Sequence, residues 1–291
     1  MNVQDVQLFL IINETSSFTQ AARQLDISPM AVSRRVAGLE KELGTRLVQR
    51  TTRSVSLTQE GVEFLPYARA LVEAEEGARS ALFSPDNKGA TGLLRITSPS
   101  GFGRRNVLPI VPDILEKNPE LRIDLQLSEN IEDIVGRGID VAIRIAPLRD
   151  SSLIAKKIID NPRIVCASPE YLSRNGVPKR LNDLNQHECL RLTNVQQWTF
   201  EDKGKNISIS VDGRFSSNNV EGVRELSICG IGVAQLTFLD VKKELNEGSL
   251  VEINLEDVQP QNLSVWALLP TTRYLPLRVS MFIDYLKNSL L

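Results

Sequence analysis

The sequence has little of what catalytic and metal sites usually need. It holds one histidine, His187, and three cysteines, Cys166, Cys189 and Cys229, none in a CxxC pair. With the thiols odd in number, widely spaced and without a CxxC pair, neither a disulfide scaffold nor a zinc site is expected. We expect no metal and no cofactor. No G-x-S-x-G elbow, P-loop or G-x-G-x-x-G cradle occurs, and GFG at 101–103 is too short to count. Nothing converges on a catalytic residue, so the chain is expected not to be an enzyme. Aromatics are 5% of the residues, too few for a stacking-rich surface. Acids and bases nearly cancel, 36 against 34, and a net charge of −2 excludes a protein that holds nucleic acid by bulk charge alone. No apolar run approaches the roughly 20 residues of a membrane span. The opening MNVQDVQLFLIINE carries acids and no basic leader, which predicts a helix rather than a signal peptide. The expectation is a cytoplasmic protein with reduced thiols and no membrane partner.

What is present is locally organised. A chain of 291 residues, 42% hydrophobic and 24% charged, fills two or three globular domains. Positive charge gathers at residues 33–53, where Arg34, Arg35, Lys41, Arg46, Arg50 and Arg53 face only Glu40 and Glu42. Within this region SPMAVSRRVAGLEKELG, residues 28–44, opens on a capping Ser28 and a first-turn Pro29 and closes at Gly44. At roughly 100° per residue, Val32, Val36, Leu39 and Leu43 form a core stripe. Met30, Arg34, Ala37 and Lys41 oppose it, Ser33 sits on the shoulder, and Arg35 falls near the stripe's edge. Residues 3–13 predict a preceding helix with Val6, Phe9 and Leu10 inward. SSFTQAARQL predicts another, capped by Ser17, with Phe18, Ala21, Ala22 and Leu25 on one face. TRLVQRTTRSVSLT then alternates as two short strands around a basic tip, Arg50 to Ser54. Helix, helix, turn, helix and basic hairpin spell a winged helix-turn-helix over residues 1–58, with the motif at about 18–37.

Thr58 caps a long helix running to about Phe83. Phe64, Tyr67, Leu71, Ala74 and Ala78 repeat along it at heptad-like spacing, which predicts a dimer seam, and Pro66 predicts a kink. SPDNKGATG, residues 84–92, marks the boundary, so residues 59–90 form linker helix and hinge. Beyond it LLRITS, LRIDLQLS and DVAIRIA alternate with helical segments at 103–117 and 130–137, which predicts parallel α/β structure. RIVCAS, NISISVDG, a helix from Asn219 and GIGVAQL form a second set, and LSVWALLP with a helix at 276–289 closes the chain. This gives an α/β domain at 91–291 with two lobes, about 91–161 with 267–291 and about 162–266, and a cleft between them.

FTQAARQLDISPMAVSRRVAGLEKELGTRLVQRTTRSVSLTQEG, residues 18–61, resembles the LysR-type transcriptional regulators. GFGRRNVLPIVPDILEKNPELRIDLQLS, DVAIRI and DSSLIAKKI extend the resemblance over nearly the full chain, toward the CrgA-like subgroup. It implies a bacterial winged helix-turn-helix regulator with a linker helix and an effector domain similar to type 2 periplasmic binding proteins. Its implied partners are double-stranded promoter DNA, a small-molecule effector, further copies in a homodimer or homotetramer, and RNA polymerase. The family commonly has Gln or Pro at positions 29 and 30; here they are Pro29 and Met30.

For DNA, Arg34 can bond bidentately to guanine, Met30 can touch a thymine methyl, and Ser28 and Ser33 can reach a phosphate or base. Arg35 suits the DNA backbone or an intramolecular partner, and Thr51 and Arg53 at the wing tip suit phosphate or minor-groove contacts. Any one of these arginines taken alone is equally a solvated surface residue. In the resemblance the loops around TSPSGFG, 97–103, and SSNN, 216–219, face each other across the cleft, which implies effector contacts at Ser98, Ser100, Ser217 and Asn218. Arg144 could pair with a carboxylate, and the effector is expected to be a small anionic metabolite. The plainer readings are helix caps and a structural ion pair. An enzyme is a rival without a supporting motif, and a periplasmic transport receptor, suggested by the lobes alone, is disfavoured by the expected lack of a leader and by the helical N-terminal domain. A cysteine-based redox sensor is a third, although Cys166 and Cys229 read as buried packing residues and Cys189 is undecided.

Overall fold

A computed structural model describes residues 1–50, 55–83, 89–129, 134, 136–147, 154–270 and 275–291. The wing tip with Thr51 and Arg53, and most of the helix expected at 130–137, lie outside the described residues.

The N-terminal unit begins with α1 (Val3–Thr15), α2 (Phe18–Gln24) and α3 (Pro29–Leu43). Each starts on a side-chain cap: Asn2 accepts from the Gln4 N–H at 2.9 Å, Ser17 from Gln20 at 3.3 Å and Ser28 from Ala31 at 3.1 Å. Gly44 ends α3 at φ 71°, in the left-handed region. Val6, Phe9, Ile12, Ala21, Ala22, Val32, Val36 and Leu39 meet in one core, and the two small alanines admit α3 closely. Leu43, expected in that stripe, is 36% exposed, because the last turn of α3 runs past the core. Leu10 is half-buried at its edge.

Strands β1 (Val48–Arg50) and β2 (Val55–Leu57) pair antiparallel, Val48 opposite Leu57. Glu40 of α3 accepts the N–H groups of Leu47 and Val48 at 2.9 and 3.0 Å, which ties the wing to the helix before it. Thr58 caps the 25-residue α4 (Gln59–Phe83), accepting from Gly61 N–H at 2.9 Å and donating to the Arg46 carbonyl at 2.6 Å. A side chain at Gly61 would collide with the Leu47 carbonyl oxygen, so only glycine lets α4 start against the wing. Leu65, Ala68 and Val72 of α4 complete the core.

In the C-terminal domain β3 (Gly92–Ser98) leads into α5 (Ser100–Phe102), a π-turn at Gly103–Val107, a 3-10 turn at Leu108–Ile110 and α6 (Val111–Lys117). Then come β4 (Leu121–Leu127), β5 (Val141–Ala146) and β6 (Ile154–Asp160). The chain crosses to the second lobe for β7 (Arg163–Ala167), α7 (Pro169–Asn175), β8 (Cys189–Leu192), β9 (Gln197–Asp202), β10 (Lys205–Ser210) and β11 (Ser216–Ser217). It continues with α8 (Val220–Ile228), β12 (Val233–Thr237), α9 (Phe238–Glu247), β13 (Val251–Ile253) and β14 (Gln259–Pro260). It returns as β15 (Ser264–Leu269) and ends in α10 (Leu277–Leu290).

The first sheet has the order β4-β3-β5-β15-β6 and the second β11-β8-β12-β7-β13, with a small sheet β10-β9-β14 beside it. These sheets are mixed rather than parallel throughout. β15 runs antiparallel to β5 and β6, and β12 antiparallel to β7, because strands that cross between lobes enter from the opposite end. The two crossovers touch where the Asn161 N–H donates to the Leu263 carbonyl at 2.8 Å. The buried Asn161 side chain also donates to Thr237 Oγ1 and accepts from the Leu239 N–H, each at 3.0 Å, so the hinge is held by a satisfied amide.

Candidate nucleic-acid interface and effector cleft

The outward face of α3 is dictated by its inward one. With Val32, Val36 and Leu39 buried, Met30 stands 82% exposed, and Arg34 and Lys41 project into solvent on the same side. Arg34 makes no hydrogen bond or ion pair with a described residue, so its five donors are available to a ligand. Arg35 is different. Its Nε donates to Asp5 Oδ1 of α1 at 2.5 Å, with the two side chains 28% and 23% exposed. The adjacent arginines thus divide into one aimed outward and one binding α3 to α1. Ser28 is engaged as the cap of α3, and Ser33 is half-buried.

On α4 the seam residues separate. Phe64 leans on Phe9 in the core, ring centroids 5.5 Å apart, and is thereby spent within its own chain. Tyr67, Ala74 and Ala78 are exposed and Leu71 half-buried along one side of the helix.

A cavity of about 180 Å³ lies between the two lobes. Pro99, Phe102 and Ile145 wall it from the first lobe, Leu192, Val195 and Trp198 from the second. Arg163, at the start of β7, enters it half-buried. Its Nη1 donates to Gln235 Oε1 at 3.4 Å, and no described carboxylate lies within ion-pair distance. Burial lowers its pKa, the cost of a guanidinium held away from water without a counter-charge. The two carboxyls among the cavity's described residues are occupied. Glu129 accepts the Ser100 N–H at 3.0 Å, and the buried Asp240 accepts the Thr237 hydroxyl at 2.6 Å. Burial raises the Asp240 pKa, against the hydrogen bonds from Thr237 and the nearby Arg224 and Arg105.

Ion pairs close the cleft at its rim. Arg104 of the first lobe pairs with Glu221 of α8 at 2.6 Å, and Arg105 forks onto Glu244 of α9, one arm at 2.9 Å. Burial opposes ionisation of Glu244, but the Arg105 guanidinium outweighs it and holds the carboxyl below its usual range.

None of the five residues first considered for the effector is among those lining this cavity, although Pro99, Gly101 and Ile145 beside three of them are. Ser98 is fully buried at the end of β3, its hydroxyl turned to the Pro99 carbonyl. Ser100 presents its N–H to Glu129 rather than to an open anion site. Arg144 lies along β5 with donors to the Ile143 carbonyl at 2.7 Å and Thr97 Oγ1 at 3.4 Å. Ser217 Oγ accepts the Asn219 N–H at 3.1 Å, Asn219 rather than Asn218 caps α8, and Asn218 is exposed.

Comparison with known proteins bears on both sites. Residues 3–62 match the model of the bacterial regulatory helix-turn-helix protein, lysR family, and residues 87–291 match the LysR substrate binding domain. The chain belongs to the LysR family of DNA-binding transcriptional regulators. It is 32% identical over 290 residues to the HTH-type transcriptional regulator DmlR of Escherichia coli K12, covering 98% of this chain and 94% of that one. It is 30% identical over 292 residues to CrgA of Neisseria meningitidis serogroup C, covering 99% and 97%. The CrgA structure superposes with a TM-score of 0.64 at 29% identity, covering 100% and 99% of the two chains. The full-length Vibrio cholerae virulence activator AphB gives a TM-score of 0.60 at 29% identity over 100% of both. These relatives are named as regulators, not as enzymes.

Sequence patterns did not mark Arg163 as a residue of this cavity, and they placed one thiol wrongly. Cys166 and Cys189 are buried, and burial pushes each up to about 12, which leaves them inert. Cys229, expected to be buried in SICGIG, is exposed, because it follows the last turn of α8. His187 is half-buried, its Nδ1 3.2 Å from the Tyr171 hydroxyl. Among the described residues no group of His, Cys, Asp and Glu could hold a metal ion, and no helix is long and apolar enough to cross a membrane.

Proposed function

We propose that this regulator acts in the cytoplasm at a promoter, and that a small organic anion in the inter-lobe cleft alters its grip on DNA. In this reading α3 enters the major groove, where Arg34 reads guanine, and Met30 and Ser33 contact neighbouring bases or phosphates. Ser28 supports that helix as its cap, Arg35 fixes its angle through Asp5, and Thr51 and Arg53 hold the backbone. Tyr67, Leu71, Ala74 and Ala78 form the seam of a homodimer, the unit from which a homotetramer is built. RNA polymerase is a further partner of the promoter-bound form.

One observation carries the effector half. Arg163 brings a positive charge into a cavity between the lobes with no described carboxylate to neutralise it. An ionised ligand group there would make a charge-assisted hydrogen bond and recover the desolvation cost of the guanidinium. Because the cavity spans both lobes, its occupant would change their closure and, through α4, the spacing of the DNA-reading helices. The test is a thermal-shift screen of small organic acids against their neutral amides, followed by DNA binding with and without any hit. A stabilising acid that also shifts affinity for the promoter supports the reading. Clear neutral hits with no acid among them overturn it.

A redox reading rests on Cys229, the exposed thiol of the three. Peroxide treatment that changes promoter binding of the wild type but not of Cys229→Ser would favour it.

A further inference from the structure

The small sheet β10-β9-β14 stands beside the cleft, and its two faces differ in chemistry. Strand alternation sends Trp198 and Phe200 of β9, with Ile207 and Ile209 of β10, into the second-lobe core. The opposite face presents Gln197 and Thr199 beside Asn206, Ser208 and Ser210. Register sets Thr199 against Ser208 and Gln197 against Ser210, and the Thr199 and Ser208 hydroxyls lie 3.4 Å apart. This face lines an open groove of about 710 Å³ rich in amides and hydroxyls. Arg163 is the charged side chain among the described residues of the groove, and with Val195 it also lines the inner cavity.

Arg163 therefore stands at a junction between a chamber walled by Phe102, Leu192 and Trp198 and a groove of neutral hydrogen-bonding groups. A ligand that satisfies all three regions needs an anionic group, an apolar group and an uncharged polar group diverging from one point. Resting on the effector reading of the cleft, we infer that the groove is a second subsite of the same ligand, an α-substituted carboxylic acid. Its carboxylate pairs with Arg163, its apolar side chain fills the inner cavity, and a hydroxyl or acylamino substituent lies on the Thr199–Ser208 face. Apolar cavities of about 150 Å³ hold a benzene molecule, so a phenyl-sized side chain fits the space of about 180 Å³ found here. Among the described residues of the groove a second ionised group would meet no further counter-charge, which disfavours it.

Calorimetric titration of the full-length protein with phenylpropionate, phenyllactate and N-acetylphenylalanine separates the parts. The three share the carboxylate and phenyl ring and differ in the α-substituent. The expected result is affinity for all three, with the two substituted acids bound roughly tenfold tighter than phenylpropionate, the scale of one or two added hydrogen bonds. Arg163→Met abolishes binding of all three, and Arg163→Lys restores part of it. The pair Thr199→Val and Ser208→Ala removes the tenfold gain and leaves phenylpropionate unchanged. Retained binding to DNA and an unchanged far-UV spectrum show that each variant is folded. Equal affinity for the three acids, or a gain that survives the groove variant, overturns the subsite while the cleft reading stands. Undiminished binding to folded Arg163→Met, or no binding of any acid at millimolar concentration, overturns the proposal; undiminished binding also removes the anionic contact on which it rests.

Discussion

Separate replacement of Arg34 and Arg35 by alanine asks whether two neighbouring guanidiniums perform separable tasks. Arg34 is exposed and contacts no described residue, so Arg34→Ala changes folding stability by no more than about 0.5 kcal/mol. Its loss appears in DNA discrimination. One bidentate guanine contact is worth about 1–3 kcal/mol, or roughly 5- to 150-fold in the ratio of specific to random binding per half-site. Arg35→Ala should do the reverse. The Arg35–Asp5 pair, at 28% and 23% side-chain exposure, lies between surface and interior, so its removal costs about 1 kcal/mol of stability. Discrimination between duplexes should survive at temperatures where the variant is folded. A preferred site selected from a randomised duplex pool, compared with its scrambled version by fluorescence anisotropy at fixed salt, gives the ratio, and thermal denaturation gives the stability. Equal loss on both duplexes for Arg34→Ala, or lost discrimination with unaltered melting for Arg35→Ala, refutes the division.

Gly61→Ala pushes a methyl into the Leu47 carbonyl and should cost about 1–3 kcal/mol in denaturant unfolding, more than an ordinary surface glycine replacement. His187 has a pKa lowered by burial, against the pull of Asp183, so unfolding takes up a proton below the ordinary value of 6.5. Its contribution is therefore complete above that pH and lost as pH falls below it, and His187→Gln should flatten the melting temperature between about pH 7 and pH 5.5. Of the three thiols, Cys229 should react rapidly with a disulfide reagent in the native protein, and Cys166 and Cys189 only after denaturation. Glutamate at Ala74 and Ala78 places like charges across the proposed seam and should lower the mass measured by light scattering, with helix content retained.

The DNA-reading half was legible because its determinants are local. Ser17, Ser28, Thr58 and Gly44 announce helix ends within a few residues of themselves, and the Val32–Val36–Leu39 stripe sets the direction of Arg34. Where the local pattern ran out, so did the reading. Leu43 has the right phase but lies beyond the core, and Phe64 has the right phase for a seam but meets Phe9 first. The cleft was much less legible. Arg163 opens an apolar strand with no local sign that it would line a cavity with Gln235 and Val195 of its own lobe and Phe102 of the other, since partners distant in sequence make that cavity. Serines and asparagines at strand-to-helix turns announce caps, and in the fold Asn219 does cap while Ser98 is buried. β9 went unmarked because its alternation is brief, although it carries the Trp198 that walls the cavity.

The claim that α3 reads DNA through Arg34 is tested most directly by methylation interference on the selected site. Dimethyl sulfate methylates guanine N7 in the major groove, one of the two acceptors a bidentate arginine uses. The account expects that methylation of one guanine in each half-site blocks the wild-type protein, and that Arg34→Ala, binding more weakly, is indifferent to methylation at that position. Interference at no guanine, or interference at the same guanine undiminished in Arg34→Ala, would contradict it.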